Sequence, residues 1–487
     1  MASRSQRSTG VEAAMLTSYD EVAYPSNAFR QTHPGRLAAH AHLFGLPYAP
    51  VETCRVLDIG AGDGANIIPM ALAHPDARFV GFDLSTSAVA RGRADIETLG
   101  LKNVELFVGD ILDVDLGSEP FDYTIAHGVY SWVPDHVRDA TLALNRRCLA
   151  PHGVAFVSYN AFPGCRIRQV MRDMLLFAVR DVQGAEARMN AAVERLREIV
   201  DTFPKDQMYG ALIIDHAEHL LRRRASVLSH DELGEEYFPV HLHEFVAHIA
   251  RHDLQFLTEA DAGRCGEGFL PPYALDDLQF DVLAHAQNMD FKAGRPFRQS
   301  LVIHGGVPID RVPRPERLLD MHVASTARRV DGGAFLAGAT QFEMKDEILE
   351  RTVDALAQAW PATIPVSSVI DDPERAGALL RMYWTEVVEL HTAPLSFPGA
   401  GSPRPCASPV ARLQAERGQS LLTTLNHGMV EVEDPFSRQF IARLDGSRSR
   451  EQIARDVAPA LGGSVADAQA QIDAQIEVLA KMPLLMS

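Results

Sequence analysis

A glycine-rich loop at Gly60–Gly64 is the segment whose residue types and spacing most clearly indicate ligand chemistry. The preceding residues, Arg55–Ile59, are mostly apolar and predict a buried strand, and a helix is expected to begin near Gly64. Gly60, Gly62 and Gly64 allow a tight turn and the close approach of a ligand to the backbone. The N–H groups of the first helical turn would face that ligand. We therefore expect a ligand site at the end of this strand.

The sequence of the loop is compatible with two classes of ligand. Gly60, Gly62 and Ala65 fit the G-x-G-x-x-G/A fingerprint of dinucleotide-binding folds. Asp58 weighs against a dinucleotide, because it would point a carboxylate into the crevice where the pyrophosphate lies, and Asp63 adds a second acidic side chain. A carboxylate at this position suits a cationic ligand, and the amino group and sulfonium of S-adenosylmethionine are such charges.

Short apolar runs alternate with helical stretches along residues 55–160, which is typical of a βαβ series. The predicted strands are Arg55–Ile59, Arg78–Asp83, Val104–Val108, Tyr123–Ala126 and Val154–Ser158. Helices are expected at about 64–74, 85–99, 135–150, Leu242–His252 and 275–289, and two later strands, Leu254–Thr258 and Gln299–His304, could complete the sheet. Apolar strands of this kind suit a parallel sheet that is buried on both faces. The fold class is therefore α/β with a doubly wound sheet.

Further motifs follow each strand in order. Asp83 ends the second strand within Gly81-Phe-Asp83-Leu84-Ser85, Gly109-Asp110-Ile111 follows the third, and His127-Gly128-Val129 follows the fourth. With the glycine loop, this set resembles the class I S-adenosylmethionine-dependent methyltransferases, which implies a Rossmann-like sheet and S-adenosyl-L-methionine as cofactor. The resemblance implies that Asp83 binds the ribose hydroxyls, that Asp110 lies near the adenine, and that the loop at His127 borders the methionine moiety. The implied cofactor-binding residues are Asp58, Gly60, Gly62, Asp63, Gly64, Asn66, Asp83, Leu84, Asp110, Ile111, His127, Gly128 and Val129, with Tyr24 and Thr32 from the N-terminal segment.

A narrower resemblance rests on stretches outside the glycine loop. They are Tyr24–Pro34, His127–Pro134, Ser158–Gly164, His243–Phe245 and Arg404–Pro409. These stretches resemble bacterial methyltransferases with a methyltransferase regulatory domain, a group that includes protein lysine methyltransferases acting on outer-membrane proteins. The resemblance implies a lysine-bearing protein as acceptor. It also implies a catalytic domain, a middle domain and a C-terminal winged-helix-like region.

The 487 residues predict roughly three domains at about 150 residues each. Proline-rich breaks at Val307–Pro315 and Pro394–Pro409 mark the expected boundaries. The predicted parts are an N-terminal lid segment (1–34), a methyltransferase domain (35–306) with a helical insertion at about 164–228, a middle regulatory, winged-helix-like module (316–393) and a C-terminal module (410–487), the last two of mixed α+β type. A β-hairpin is expected from His322–Val330 and Phe335–Lys345.

Methyl transfer from a sulfonium is an in-line displacement that depends mainly on alignment, and it requires neither a metal nor a covalent intermediate. An amine acceptor must lose its proton, and a water-poor aromatic pocket would both lower its pKa and attract its cationic form. Tyr130, Trp132, Tyr159, Asn160 and Phe162 follow the fourth and fifth strands, where a doubly wound sheet binds its ligands. We expect them to line the acceptor pocket; the alternative is that Tyr130 and Trp132 are core residues of the loop.

The N-terminal segment is expected either to cover the cofactor as a lid or only to pack on the helix that follows. The residues concerned are Tyr19, Tyr24, Phe29, Gln31, Thr32 and His33. His127 is a weaker candidate for a general base than for a contact of the loop backbone. No Cys/His grouping has metal-ligand spacing, and His241 and His243 are expected to diverge at a helix start, so no metal site is predicted.

The net charge is -18, from 46 basic and 64 acidic side chains, and no Lys/Arg stripe indicates nucleic-acid binding. Five scattered cysteines, the lack of a visible signal peptide and the absence of a long apolar run predict a cytoplasmic chain without membrane insertion. The acidity agrees with a basic or lysine-bearing acceptor, and a homodimer is one open alternative for assembly. The competing functions are protein lysine methylation, N- or O-methylation of a small molecule in a biosynthetic pathway, and cofactor binding by a non-catalytic regulator or scaffold.

Overall fold

The computed structural model describes residues 26–223, 225–265, 281–398, 400–461 and 464–486. The predicted positions Tyr19 and Tyr24 lie outside the described residues, as do residues 275–280 of the predicted helix at 275–289.

A seven-stranded sheet forms the centre of the molecule, in the order β3-β2-β1-β4-β5-β7-β6. Its strands are β1 (Arg55–Ile59), β2 (Arg78–Asp83), β3 (Val104–Val108), β4 (Phe121–Ala126), β5 (Leu149–Asn160), β6 (Leu254–Glu259) and β7 (Phe297–His304). Strands β1 to β5 pair in parallel, whereas β7 runs antiparallel to both β5 and β6. The two later strands therefore complete the sheet, and the predicted α/β class is confirmed.

Both faces of this sheet are buried. Successive residues of a strand point to opposite faces, and Val56 and Phe79 belong to one hydrophobic cluster while Leu57 and Val80 belong to another. This arrangement explains why the strands are apolar along most of their length instead of alternating with polar residues.

Helices cover the two faces and connect the strands. They are α1 (Pro34–Leu43), α2 (Ile67–Ala73), α3 (Thr86–Leu99), α4 (Asp135–Cys148), α5 (Cys165–Ala178), α6 (Ala185–Thr202), α7 (Met208–Leu221), α8 (Ala225–Asp231), α9 (Leu242–Arg251), α10 (Ala262–Cys265) and α11 (Val282–Ala293). Helix α3 has the local signals expected of a helix: Ser85 accepts a hydrogen bond from the Ala88 N–H (3.2 Å), and Gly100 ends the helix in a left-handed conformation.

The helices α5 to α8 form the helical insertion that the sequence predicts. They have a core of their own, in which Leu196 and Ile199 are fully buried. Pro204 lies between α6 and α7, where proline ends one helix and the chain turns into the next.

The residues after β7 form two small three-stranded sheets and two helices. One sheet joins β8 (His322–Ala324), β12 (Ile364–Pro365) and β13 (Glu389–His391), and the other joins β9 (Arg328–Arg329), β10 (Phe335–Ala337) and β11 (Thr340–Phe342). The helices are α12 (Glu347–Ala359) and α13 (Pro373–Trp384).

The predicted hairpin is shorter than expected, because only β9 and β10 pair across Asp331–Gly333, and His322–Ala324 belongs to the other sheet. Ser325 explains the break: its hydroxyl accepts from the Ala327 N–H (3.0 Å) and donates to the Val387 carbonyl (2.5 Å), which turns the chain away from a continuous strand. Val323 and Leu379 share a hydrophobic core with Val56 of the central sheet. The middle residues thus pack directly on one face of the α/β domain.

The C-terminal residues form a bundle of helices with a two-stranded hairpin. Its elements are α14 (Pro409–Glu416), β14 (Leu421–Thr423), β15 (Met429–Glu431), α15 (Pro435–Ala442), α16 (Arg450–Leu461) and α17 (Val465–Lys481). It has its own core, built around Leu422, Ile441 and Ile476. The domain boundaries given above stay predictions. Among the described residues, no helix is both long and apolar enough to cross a membrane.

Candidate functional site

The glycine loop turns sharply after β1 and lies against the loop that follows β4. Gly60, Gly62 and Gly64 all have positive φ angles, of 74°, 57° and 76°. A Cβ atom at Gly60 would come within 2.7 Å of Val129 Cγ2, so a side chain there would meet both backbone strain and a steric clash. Asp63 shapes the turn from within, because its Oδ1 accepts from the Ala65 N–H (3.2 Å).

Asp83 stands at the end of β2 and is fixed by the backbone on both sides. Its Oδ2 accepts from the Gly62 N–H (2.9 Å) and its Oδ1 from the Ser85 N–H (2.8 Å). The carboxylate is therefore held beside the glycine loop. The neighbouring Leu84 is 54% exposed, which leaves an apolar side chain next to this carboxylate.

The turn after β3 lies along the same edge of the sheet. Asp110 accepts from the Leu112 N–H (2.9 Å) through Oδ1 and is half-buried, as is Ile111. The parallel order β3-β2-β1-β4 brings these residues, the Asp83 carboxylate and the glycine loop to the carboxyl ends of adjacent strands. This is the edge at which doubly wound sheets bind ligands.

Asp58 lies below the glycine loop and is 3% exposed. Burial raises the pKa of Asp58 to about 7, and the negative charge of the nearby Asp83 adds to this rise. The Asn66 side chain opposes it, because its Nδ2 donates a hydrogen bond to Asp58 Oδ2 (3.4 Å). A buried carboxyl with no basic side chain among the causes of its shift is a site that a cationic ligand would stabilise.

Asn66 connects this carboxyl to two distant parts of the chain. Its Oδ1 accepts from the Phe29 N–H (3.0 Å) and the Thr32 hydroxyl (3.1 Å), and it lies 3.1 Å from His427 Nε2. His427 belongs to the C-terminal bundle, is 2% exposed and has a positive φ of 60°. Sequence reasoning missed this histidine, because no local pattern marks a contact across 361 residues.

The described part of the N-terminal segment packs on both loops. Phe29 stacks on His127 with ring centroids 3.8 Å apart, Thr32 is fully buried against Asn66, and His33 Nε2 lies 3.2 Å from His74 Nε2. Gln31 is half-buried. This segment therefore contacts the residues around the predicted cofactor site.

The loop after β4 carries the next predicted residues. Its Gly128 N–H donates to Ser158 Oγ (2.9 Å), which ties the loop to β5. Burial lowers the pKa of His127 to about 4, so its imidazole is neutral near pH 7. A group that holds a proton so weakly is a poor general base.

The five predicted acceptor-pocket residues separate into two groups. Tyr130 and Tyr159 are each 1% exposed and pack against Phe245 of α9, with ring centroids 5.3 and 4.3 Å away. Their hydroxyls lie 2.7 Å from His248 Nδ1 and 3.2 Å from Ser300 Oγ. This packing favours the alternative interpretation of Tyr130 as a core residue of the loop, and it extends that interpretation to Tyr159.

Trp132 and Asn160 meet around Arg168 of the helical insertion. The guanidinium lies 5.2 Å from the Trp132 ring, also 5.2 Å from the Tyr237 ring, and its Nη1 donates to Asn160 Oδ1 (3.3 Å). It forms an ion pair with Glu232 (2.8 Å), whose pKa is raised by burial against the opposing effect of Arg168. We call Trp132, Asn160, Arg168, Glu232 and Tyr237 the acceptor cluster. Phe162 is 8% exposed, and the guanidinium of Arg166 lies 3.6 Å from the centre of its ring.

Sequence reasoning missed three members of the acceptor cluster. Arg168 is indistinguishable in sequence from a surface residue of an amphipathic helix, and Glu232 and Tyr237 stand in a connector without a motif. The expectation that His241 and His243 diverge is wrong, since their rings lie 5.3 Å apart and nearly parallel, at 20°. His241 precedes α9 in an extended conformation, so helical spacing does not apply to it.

Family comparisons match three segments of the chain. Residues 56–153 match the family "Methyltransferase domain", residues 224–304 match "Predicted methyltransferase regulatory domain", and residues 403–476 match "PKMT, C-terminal winged helix domain". These segments coincide with the glycine-loop half of the sheet, the region of β6, α9 and β7, and the C-terminal bundle.

Two curated relatives come from Rickettsia prowazekii. RP789 is 34% identical over 296 residues, which are 60% of this chain and 54% of that protein, so the chain spans about half of its length. RP028 is 33% identical over 241 residues, which are 49% of this chain and 96% of that protein. Both are described as uncharacterized.

Among solved structures, PKMT2 from Rickettsia typhi is similar along almost the whole chain. The TM-score is 0.82 at 24% identity, with 95% of this chain and all 100% of the other covered. A second structure of that protein, in complex with AdoHcy, matches equally well. At this identity the likeness shows the fold, including the C-terminal bundle.

Proposed function

Because the chain is a class I S-adenosylmethionine-dependent methyltransferase, we propose that it methylates lysine side chains of a protein. Two likenesses support the acceptor class: the C-terminal match to the winged-helix domain named for PKMT, and the fold shared with PKMT2 along 95% of the chain. An outer-membrane protein is the acceptor that the sequence resemblance implies. Methyl transfer from the cofactor follows from the family, whereas the acceptor and the residues that hold the cofactor are proposals.

The observation that carries the proposal is the acceptor cluster. Aromatic rings of Trp132 and Tyr237 and the buried carboxylate of Glu232 surround a cation, the guanidinium of Arg168. Aromatic faces and a carboxylate in a desolvated site are the groups that stabilise an alkylammonium ion. The cluster begins three residues after the Val129 that contacts the glycine loop, so it borders the place where methyl transfer would occur.

The residues around the glycine loop fit S-adenosylmethionine. Asp58 offers a buried carboxyl for an amino group, and Asp83 offers two oxygens for vicinal hydroxyls. The lack of a side chain at Gly60 lets the glycine loop lie against Val129. When bound, the cofactor supplies an activated methyl group on a sulfonium. We propose Asp58, Asp83, Asp110 and the loop at His127 as the residues that hold it, in the roles given above.

The chain's own part in the reaction is to orient the nucleophile and exclude water. The aromatic faces and Glu232 would attract the lysine as its ammonium ion, whereas loss of water around the nitrogen would favour the neutral amine, which is the nucleophilic form. The neutral His127 imidazole can orient the amine but would not retain its proton near pH 7, since its pKa is about 4. The proton therefore leaves to solvent, and alignment accounts for the acceleration.

The test is transfer of a tritiated methyl group from labelled cofactor into a bacterial lysate, followed by separation by size and amino-acid analysis. We expect the label in protein, as methyl-lysine. Label confined to small molecules would overturn the acceptor class and favour the small-molecule N- or O-methyltransferase. Cofactor binding without any labelled acceptor would favour the non-catalytic alternative.

A variant pair locates the acceptor. Trp132→Ala is expected to reduce protein labelling about tenfold, because a desolvated contact between a cation and an aromatic ring contributes about 1–2 kcal/mol. Trp132→Phe should retain most of the activity, and Phe177→Ala, at an aromatic residue that is 68% exposed, serves as control. Unchanged labelling by Trp132→Ala would exclude the acceptor cluster as the amine site.

A further inference from the structure

Two histidines and an aspartate meet on the outer side of the α/β domain, between α4 and α9. Asp139 Oδ1 lies 3.3 Å from His248 Nε2 and 2.9 Å from His252 Nε2. Asp139 belongs to α4, His248 to α9, and His252 directly follows α9. The geometry points to a binding site for a divalent transition-metal ion of the zinc type, with these three side chains as ligands.

The spacing of the three ligand atoms fits such an ion. All lie within 4.8 Å of one another. In a tetrahedral zinc site, with bonds of about 2.0–2.2 Å, neighbouring ligand atoms are about 3.3–3.5 Å apart. The observed 2.9 and 3.3 Å separations need to open by only a few tenths of an ångström. His248 and His252 are four residues apart at one helix end, with ring centroids 5.6 Å apart, so one helix presents both imidazoles.

Tyr130 supplies a second observation that points to a metal ligand. Its hydroxyl lies 2.7 Å from the other ring nitrogen of His248, Nδ1. A histidine that binds a metal through Nε2 carries its proton on Nδ1 and needs an acceptor there. A tyrosine hydroxyl can accept a hydrogen bond from that Nδ1–H in the metal-bound form and donate one to Nδ1 in the metal-free form, in which His248 Nε2 donates to Asp139. The network is therefore satisfied in both states.

The site has access to solvent. It opens on a cavity of about 690 Å³, whose wall includes Asp139 and His248, so a fourth position is open to water. Arg251 Nη2 lies 4.0 Å from Asp139 Oδ1, and its side chain is 68% exposed, which leaves it free to turn into solvent. Arg138, also in the cavity wall, is paired with Asp135.

A bound ion would cross-link two helices next to the loop that follows β4. An ion at this site would join α4 to α9 and, through His248, fix the hydroxyl of Tyr130 in the loop beside Trp132. The ion would brace that loop without touching the cofactor or the acceptor. The inference does not depend on which acceptor is methylated.

The experiment is titration calorimetry of the full, chelator-treated chain with Zn²⁺, supported by Co²⁺ absorption in the visible range. We expect one ion per chain and a tetrahedral Co²⁺ spectrum. His252→Ala and Asp139→Asn, which both spare the contact with Tyr130, should each weaken binding by more than about tenfold. His152→Ala, at an exposed histidine on β5, should leave it unchanged.

Saturable binding lost in both variants and retained in His152→Ala supports the site. The absence of saturable binding of Zn²⁺ and Co²⁺, or binding that survives both variants, overturns it. Circular dichroism of each variant establishes that the loss does not come from unfolding. Since no methyl transfer is measured, failure here leaves the proposed acceptor untouched, and failure of the acceptor test leaves this site untouched.

Discussion

Raising the pH through neutrality is the perturbation that tests the cofactor site most directly, because it ionises Asp58. This carboxyl is 3% exposed and has a pKa of about 7. If only the carboxylate form binds the amino group of S-adenosylhomocysteine, affinity must rise with pH. At about pH 6 roughly a tenth of the molecules carry the carboxylate, so the dissociation constant should be about tenfold larger than at about pH 8, or about 1.4 kcal/mol.

Because the pKa of Asp58 is raised by folding, ionisation of this carboxyl destabilises the cofactor-free protein. The folded pKa of Asp58 lies above the ordinary value of about 3.9, so in the cofactor-free protein its contribution to stability is intact below about pH 4 and is lost as pH rises through about 7. A bound amino group reverses this loss. Stabilisation by S-adenosylhomocysteine should therefore grow across the window in which the free protein weakens.

The neighbouring histidines His33, His127 and His427 do not change charge in the pH range in which Asp58 ionises. The pKa values of His33, His74 and His427 are all lowered by burial, that of His427 to about 3. The imidazoles of His33 and His427 therefore stay neutral between about pH 6 and pH 8, as does that of His127, whose pKa is about 4. Asp58 is the carboxyl around this loop that we expect to change charge in the window.

The assay is calorimetric titration with S-adenosylhomocysteine at several pH values, in two buffers with different heats of ionisation. Near pH 6, binding should release close to one proton, and release should fall as Asp58 becomes ionised. Asp58→Asn is the matched control: it should bind more weakly and lose this dependence, while the titration of the cofactor's own amino group remains in both proteins. An affinity that is constant with pH in the natural chain, or an equal slope in Asp58→Asn, would refute the reasoning.

Three further substitutions test the same region. Asp83→Ala should weaken S-adenosylhomocysteine binding by about 3 kcal/mol, roughly 100-fold, because it removes two hydrogen bonds to a charged group; calorimetry showing unchanged affinity would contradict the ribose assignment. Gly60→Ala places a Cβ 2.7 Å from Val129 Cγ2 at a φ of 74° and should lower the free energy of unfolding by about 1–3 kcal/mol in denaturant titrations, whereas an unchanged midpoint would exclude the clash. His427→Ala removes a buried partner of Asn66 and should lower the free energy of unfolding by about 1–2 kcal/mol in thermal unfolding. It should also weaken the binding of S-adenosylhomocysteine, so an unchanged affinity would exclude a role for the C-terminal bundle in this site.

The sheet could be predicted from the sequence because each of its strands is a short apolar run bounded by turn residues. The glycines and Asp83 are equally visible, since they act within one turn of the strand that carries them. The hairpin at Asp331–Gly333 was only partly predictable, because the turn at Ser325 depends on the carbonyl of Val387. Val387 is 62 residues from Ser325, so the sequence around Ser325 does not indicate this contact.

Side-chain direction was the harder problem in the candidate site. Tyr159 and Asn160 are adjacent in β5 and therefore point to opposite faces of the sheet. The sequence places both beyond the middle of the strand but does not show that Phe245 of α9 covers the Tyr159 face. Asn160 instead faces Arg168, which comes from the helical insertion. The formation of the acceptor cluster thus depends on where the helical insertion packs against the sheet. Tertiary contacts determine this position, and a local sequence pattern does not show it.

The C-terminal bundle contacts the α/β domain directly after the glycine loop, at Asn66. One amide, that of Asn66, donates to Asp58 and lies within hydrogen-bond distance of His427, while an ion pair joins Arg417 of the bundle to Asp95 of α3. Displacement of the bundle would remove one contact of the Asn66 amide, beside those from Phe29 and Thr32, and would alter the polar environment of the carboxyl proposed to hold the cofactor. The bundle is therefore placed to influence cofactor affinity through the Asn66 side chain.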